Sequence, residues 1–229
     1  MYKIIKYSFI SLTILGFLIL NSCERDKDSG IPTDGDGNKY DTVVIGTQVW
    51  FAENLKTTKY NNGVSIPLVT DNAQWASTIS AAFCWYDNDP SYKDSYGALY
   101  NWWAVNISYL CPVGWHVPSK EEWTILIDYL GGEYVAGGKL KESGFMHWLS
   151  PNEGASNETG FTALPGGSRY FGDGSYASIG SRGYWWTSSS MIDERFAWDF
   201  RLKNIGDDAA IGSFKKPNGY SVRCVKDNN

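Results

Sequence analysis

The segment CPVGWHVPSKEEWTIL, residues 111–126, constrains the fold more than any other stretch, because it spells out a helix start in full. Ser119 and Glu122 stand in Ser-x-x-Glu order, a capping box in which hydroxyl and carboxylate satisfy two amides that lack helical partners. Pro118 lies just outside, Trp123, Ile127 and Leu130 recur every three to four residues, and Gly131-Gly132 ends the run. Glu121 and Glu122 also sit where the helix dipole favours negative charge. Both glutamates therefore have structural roles. The same segment carries His116, one of only two histidines with His147, and so raises the question of chemistry.

The flanking sequence predicts an α+β domain. DTVVIGTQVWFAENL alternates with period two and breaks at Gly46, which reads as a hairpin or strand pair. Trp75, Trp85 and Tyr86 are candidate core anchors in an otherwise irregular stretch. WYDNDPSYKDS collects Asp87, Asn88, Asp89 and Asp94 in a turn, for which ordinary Asx turn formation is the simpler reading than calcium binding. Helices are expected over about Tyr96–Asn106 and Tyr134–Lys141. A glycine- and serine-rich region follows, with strand candidates FTALPGGSR, GYWWTSSS, RFAWDFRL, DDAAIGSF and YSVRCVKD. Strands, then helices, then many short strands separated by long loops is an α+β order.

At the N-terminus, Lys3 and Lys6 precede an apolar run, Tyr7–Leu20, that ends in Asn21-Ser22-Cys23. The run is short of the ~20 residues of a membrane span and has the order of a secretory signal. A small residue before cysteine is similar to a bacterial lipoprotein cleavage box. Residues 1–22 are thus expected to be a signal peptide, with Cys23 lipidated and anchoring the chain to a membrane. Residues 23–39, charged and nearly free of apolar side chains, are expected to be a flexible tether, and residues 40–229 the folded domain. Asp34, Asp36 and Asn38 alternate as in a calcium loop, but Lys39 and Ile45 stand where an EF-hand needs glycine and glutamate.

Loss of Lys3 and Lys6 from the 20 basic side chains leaves 18 against 25 acidic ones, which argues against a phosphate-binding face, and no nucleic-acid partner is expected. Eleven tryptophans and fifteen tyrosines in place of long aliphatic stripes suit a loop-rich secreted domain. Beyond Cys23 only Cys84, Cys111 and Cys224 remain, an odd number that allows at most one intramolecular disulfide. We pair Cys111 with Cys224, a closure worth about 4 to 5 kcal/mol in the chain-entropy model; three buried thiols are the alternative. The cysteines have no C-x-x-C spacing, His116 and His147 form no H-E-x-x-H cluster, and no G-x-S-x-G elbow is present, so neither a metal, a cofactor nor a catalytic group is assigned.

Seven ordered motifs, DTVVIGTQVWFAENL, YGALYNWWA, CPVGWHVPSKEEWTILIDYLGG, AGGKLKESG, NETGFTALPGGSR, GYWWTSS and GYSVRCVKD, resemble the Fibrobacter succinogenes major paralogous domain family over roughly Tyr40–Asp227. The resemblance implies a C-type-lectin-like fold, two short helices flanking a twisted antiparallel sheet with long loops, in an exported protein or lipoprotein. It implies the Cys111–Cys224 pairing, a structural His116, and ligand contacts on the late loops and strands. The paired cysteines of the similar formylglycine-generating enzymes are missing, as are the Glu-Pro-Asn, Gln-Pro-Asp and Trp-Asn-Asp motifs of calcium-dependent lectins.

Within the late region, glycines free a loop that carries Arg169, Tyr170, Tyr176 and Arg182, and alternation sends Trp185 and Trp186 to opposite faces, one core and one exposed. The expected reading is a recognition module without catalysis that binds a polysaccharide or protein through Arg169, Tyr170, Tyr176, Arg182, Trp185, Asp193 and Glu194. Its charged tether resembles that of surface-exposed outer-membrane lipoproteins. A structural subunit of a surface assembly is the second reading. A glycan hydrolase using Asp193 and Glu194 is the third, weakened because adjacent acids on a strand face opposite ways.

Overall fold

The computed structural model describes Met1 and residues 30–228. The expected signal segment, Cys23 and the tether up to Ser29 fall outside these residues, apart from Met1. The compact unit begins at Ile31, nine residues before the expected boundary. Its acidic opening orders itself: the Asp34 carboxylate accepts the amides of Asp36 (2.9 Å) and Asn38 (3.0 Å), the Asn38 side chain (2.8 Å) and the Tyr40 hydroxyl. Asp36 in turn meets Lys59 at 3.4 Å. Carboxylates that suggested a solvated tether instead satisfy a turn, so residues 31–39 belong to the domain.

The hairpin is β1 (Thr42–Ile45) and β2 (Gln48–Phe51), turned at Gly46 with φ +61°. Short elements follow: α1 (Asn72–Ser77), β3 (Phe83–Cys84), α2 (Lys93–Tyr96), β4 (Leu99–Tyr100), α3 (Trp102–Val105) and β5 (Trp115–His116). The single helix expected over Tyr96–Asn106 is broken because Tyr100 exchanges both backbone hydrogen bonds with Tyr220, and Asn101 starts a new turn by capping Ala104. Then come α4 (Lys120–Tyr129) and α5 (Glu133–Leu140), as expected to within a residue, and the late strands β6 (Gly166–Arg169), β7 (Tyr176–Ile179), β8 (Arg182–Ser190), β9 (Phe196–Lys203), β10 (Ala210–Lys215) and β11 (Val225–Lys226). The capping box on α4 is formed on both sides.

A four-stranded sheet runs β1-β2-β11-β5 and a five-stranded one β10-β9-β8-β6-β7, antiparallel except where β6 meets β8. This is an α+β domain. Trp123, Leu126 and Ile127 of α4 and Leu140 of α5 pack with Trp50, Phe161, Trp185, Phe200 and Leu202 on one side of the larger sheet. Trp102, Tyr184, Trp186 and Tyr220 form part of the core on the other. Trp123 stacks on Phe200 at 4.1 Å and Tyr184 on Tyr220 at 4.8 Å. Both faces of β8 are covered, so Trp185 and Trp186 are both buried, against the expectation that one would face solvent.

The long loops are held by buried cations. Arg169, fully buried, donates to the carbonyls of Gly174 (2.9 Å), Val69 (2.5 Å) and Thr70 (2.9 Å) and to Asn72 Oδ1 (2.8 Å). Arg223, equally buried, bonds the carbonyls of Phe51, Phe161 and Thr162 and Asn54 Oδ1. Burial pushes its guanidinium down to about 9, still above neutral pH, so it enters the interior charged. Lys141 Nζ donates to the carbonyls of Glu153 (2.7 Å), Lys203 (3.1 Å) and Gly206 (2.8 Å).

At the edge of the smaller sheet, Cys111 and Cys224 form the disulfide, spanning 113 residues. Beside it His116 Nε2 meets Glu122 at 2.8 Å and Nδ1 meets Asp227 at 2.6 Å, tying the chain end to the start of α4. The hydrogen bond to Glu122 raises the His116 pKa against the opposing effect of burial, and Asp227 adds to it.

Two outcomes are expected. Arg169→Met leaves four acceptors without their donor, the Gly174 and Val69 carbonyls in the interior among them, and lowers stability by roughly 3 kcal/mol, measured by urea unfolding. Because the folded-state pKa of His116 is raised, its contribution is full below pH 6.5, while its carboxylate partners stay ionised, and is lost as pH rises through the folded value. Melting temperature against pH should show this decline, and His116→Gln should remove it; an unchanged profile would refute the linkage.

Candidate functional site

Tyr92 and Tyr96 are one helical turn apart, which places their rings side by side with centroids 5.8 Å apart. Tyr86, in the short 3-10 turn Tyr86–Asn88, lies edge-on to Tyr92 at 5.5 Å and reaches Tyr176 of β7 at 5.2 Å. At the other end Tyr96 meets His147 edge-on at 5.5 Å. The result is a continuous strip, His147–Tyr96–Tyr92–Tyr86–Tyr176, with every ring half-buried.

The backbone beneath is shaped to receive these rings. Gly167, at φ +65°, has no side chain where a Cβ would strike the Tyr86 ring and the β7 backbone, and Gly166 lies under Tyr96. Asp87 and Asn88 both adopt left-handed conformations, with φ 53° and 55°, which costs of order 1–3 kcal/mol each. Asn88 is held there by donating to the Thr70 carbonyl at 2.9 Å while it accepts the Tyr176 hydroxyl at 2.8 Å. Arg169 lies 4.9 Å from the Tyr176 ring and 4.5 Å from that of Trp75, so the buried cation supports the strip from below.

Burial raises the pKa values of Tyr86, Tyr96 and Tyr176, so their hydroxyls stay protonated at neutral pH. His147 Nδ1 is fixed by Glu142 at 2.9 and 3.0 Å. Exposed Asp87, Asp89, Asp94 and Ser95 border the rings. Asp89 caps its own turn by accepting the Ser91 amide at 2.8 Å, the turn-forming role expected for this segment. Such a surface offers flat apolar faces with neutral hydroxyls and carboxylate acceptors at their edges, suited to stacking and hydrogen bonding.

The seven expected contact residues divide. Arg169 and Trp185 are fully buried and are corrected from contact residues to core. The first is consumed by loop carbonyls; the second donates to Asn54 Oδ1 at 2.8 Å. Tyr176 is in the strip. Tyr170 is 44% exposed and packs on Phe171 at 4.5 Å, and Arg182 is exposed with Nη1 3.3 Å from the Tyr184 hydroxyl. Asp193 and Glu194 lie in the turn between β8 and β9, not on a strand, so the argument from opposite strand faces does not apply to them. Asp193 is instead paired with Arg195 at 2.7 Å.

Tyr92, Tyr96 and His147 were not anticipated, and Tyr86 was expected in the core. The four-residue spacing of Tyr92 and Tyr96 was the available signal. Elsewhere, both His116 nitrogens are already engaged by carboxylates, which leaves no free lone pair for proton abstraction. Among the described residues, no group of three or more His, Cys, Asp or Glu side chains is placed to hold a metal ion.

No curated protein and no solved structure matches the chain. A family model, that of the Fibrobacter succinogenes major domain, matches residues 43–226, from β1 to the last residue of β11, and the chain belongs to that family.

Proposed function

We propose that the chain is a recognition domain without catalytic activity, binding an extended polysaccharide along the tyrosine strip and displayed on the outer membrane through a lipid at Cys23. The observation that carries this is the run of half-exposed rings from His147 to Tyr176, at centroid spacings of 5.2 to 5.8 Å, with protonated hydroxyls at its edge. Aromatic faces pack on the C–H faces of sugar rings, and the neighbouring Asp87, Asp94 and Ser95 supply hydroxyl partners. A basic, phosphate-binding face is not what the charge balance provides.

A second reading, a structural subunit of a surface assembly, draws support from a separate feature. Ile125 and Tyr129 on α4 and Tyr134 on α5 are 51%, 65% and 77% exposed, and the Tyr129 ring lies against Gly46 at the β1–β2 turn. Ile125 and Tyr129 are one helical turn apart and so share a face of α4, and exposed apolar side chains grouped in this way favour protein contact.

The readings separate experimentally. On a glycan array, the soluble fragment Glu24–Asn229 should bind a neutral polysaccharide, and Tyr86→Ala and Tyr96→Ala should each weaken binding by about tenfold, the factor carried by roughly 1.4 kcal/mol. Binding unchanged in the double variant would refute the strip as the site. Glycan turnover would refute the non-catalytic reading, whereas a pulldown lost only in Ile125→Glu/Tyr129→Glu would favour the assembly role.

A further inference from the structure

Strand β8 loses register with β9 between Trp186 and Ser190. Bulges of this kind re-aim a side chain, and here Ser188, whose amide donates to the Pro118 carbonyl at 2.9 Å, is exposed at the mouth of a cavity of about 330 Å³. The cavity has a distinct floor and rim. Val105, Leu110, Cys111 and Val117, all buried, form the floor, and Cys111 brings the disulfide to its wall. Exposed Asn106, Ser108 and Ser188 and half-exposed His116 are the polar groups at its edge.

The electrostatics narrow the ligand. With Cys111 in the disulfide, His116 is the only titratable side chain in the lining, and both its nitrogens are held, by Asp227 and Glu122 at 2.6 and 2.8 Å. Neither carboxylate is among the lining residues, so the lining itself presents no unpaired charge to compensate a charged ligand for its lost hydration. The volume lies at the low end of small-molecule sites, roughly 300–1,000 Å³, and so suits one sugar unit or chain end better than an extended strand. An apolar floor takes a compact hydrocarbon group, while an amide and two hydroxyls at the rim take polar edges.

We infer that this cavity is a second binding site, separate from the tyrosine strip, for a neutral acetamido sugar: the acetyl methyl rests on the Val105–Leu110–Val117 floor, and the amide and ring hydroxyls bond Asn106, Ser108 and Ser188. The assignment does not depend on the strip having a ligand.

The test is an NMR titration of the full exported chain with N-acetylglucosamine, glucose and glucosamine. N-acetylglucosamine should shift the amide signals of residues 105–108 and Ser188 and the His116 ring signals, with an affinity several-fold above that of glucose or of the cationic glucosamine. Ser188→Trp, which blocks the mouth, should abolish these shifts, and Asn106→Ala should weaken them several-fold, with melting curves confirming that each variant is folded. Tyr86→Ala should leave them intact. The assignment is overturned if N-acetylglucosamine leaves these signals unmoved at tens of millimolar, if glucosamine binds equally well, or if both cavity variants bind as the parent does.

Discussion

Backbone carbonyls in the long loops must find donors, and in this domain three buried cations supply them. Arg169, Arg223 and Lys141 together donate to nine carbonyl oxygens, and the two arginines reach two further side-chain oxygens. None of the three has a carboxylate within ion-pair distance among the described residues, so the partial charges of peptide dipoles take the place of a counter-ion. Each cation also lies over an aromatic ring: Arg169 over Trp75 at 4.5 Å, Arg223 over Phe161 at 4.2 Å and Lys141 near Trp148 at 5.6 Å. The ring quadrupole and the carbonyls act together to keep a buried charge solvated. A chain with few long helices thereby obtains a defined interior without extended regular structure.

The same constraint accounts for the aromatic composition. A sheet whose longest strand has nine residues, flanked by helices of ten and eight, needs large side chains to fill the space between layers. Trp50, Trp123 and Trp185 on one side and Trp102 and Trp186 on the other fill that space, and the indole nitrogens of Trp102, Trp185 and Trp186 cross-link the layers, while that of Trp123 is buried without a partner. Trp102 bonds the Thr187 carbonyl, Trp186 that of Tyr100 and Trp185 the side chain of Asn54. Burying these three tryptophans adds both apolar contact and a directed hydrogen bond, whereas Trp123 contributes contact alone.

What could be read from the sequence follows the range of each interaction. The α4 cap, the β1–β2 hairpin and the start of α5 depend on residues within a few positions of one another, and their patterns survive in the linear order. The disulfide was legible because the candidates were few and the family motifs placed both cysteines. Arg169 and Trp185 were misplaced because their partners, Val69–Asn72 and Asn54, lie about a hundred residues away or more. Nothing near Arg169 in the sequence distinguishes a guanidinium that binds a ligand from one that binds a loop. Asp34 misled in the opposite direction: an acidic, glycine-containing stretch has the composition of a tether, and only the geometry of its turn shows the carboxylate satisfied. For the tyrosine strip half the signal was local, the spacing of Tyr92 and Tyr96, and half was the approach of β6 and β7 from seventy or more residues downstream.

The loop staples and the candidate site are parts of one construction. Arg169 holds residues 69–72 to strand β6; Asn88 bonds Thr70 in that held segment and fixes the Tyr176 hydroxyl; Tyr176 packs on Tyr86, and Tyr86 on Tyr92. Each tyrosine in the strip is therefore positioned through contacts that end on a buried cation or on the sheet, and His147 through Glu142. A ligand meeting such a surface does not have to order it, which removes an entropic cost of roughly 0.5 to 1.5 kcal/mol for each side chain that would otherwise be immobilised. The left-handed backbone at Asp87 and Asn88 works against folding and is maintained by the same set of bonds. Asp and Asn are the non-glycine residues that tolerate this conformation most readily, so the turn that carries Tyr86 is built from the residue types its backbone demands, and the bonds of Asn88 hold it in the one arrangement that sets Tyr86 against both Tyr92 and Tyr176.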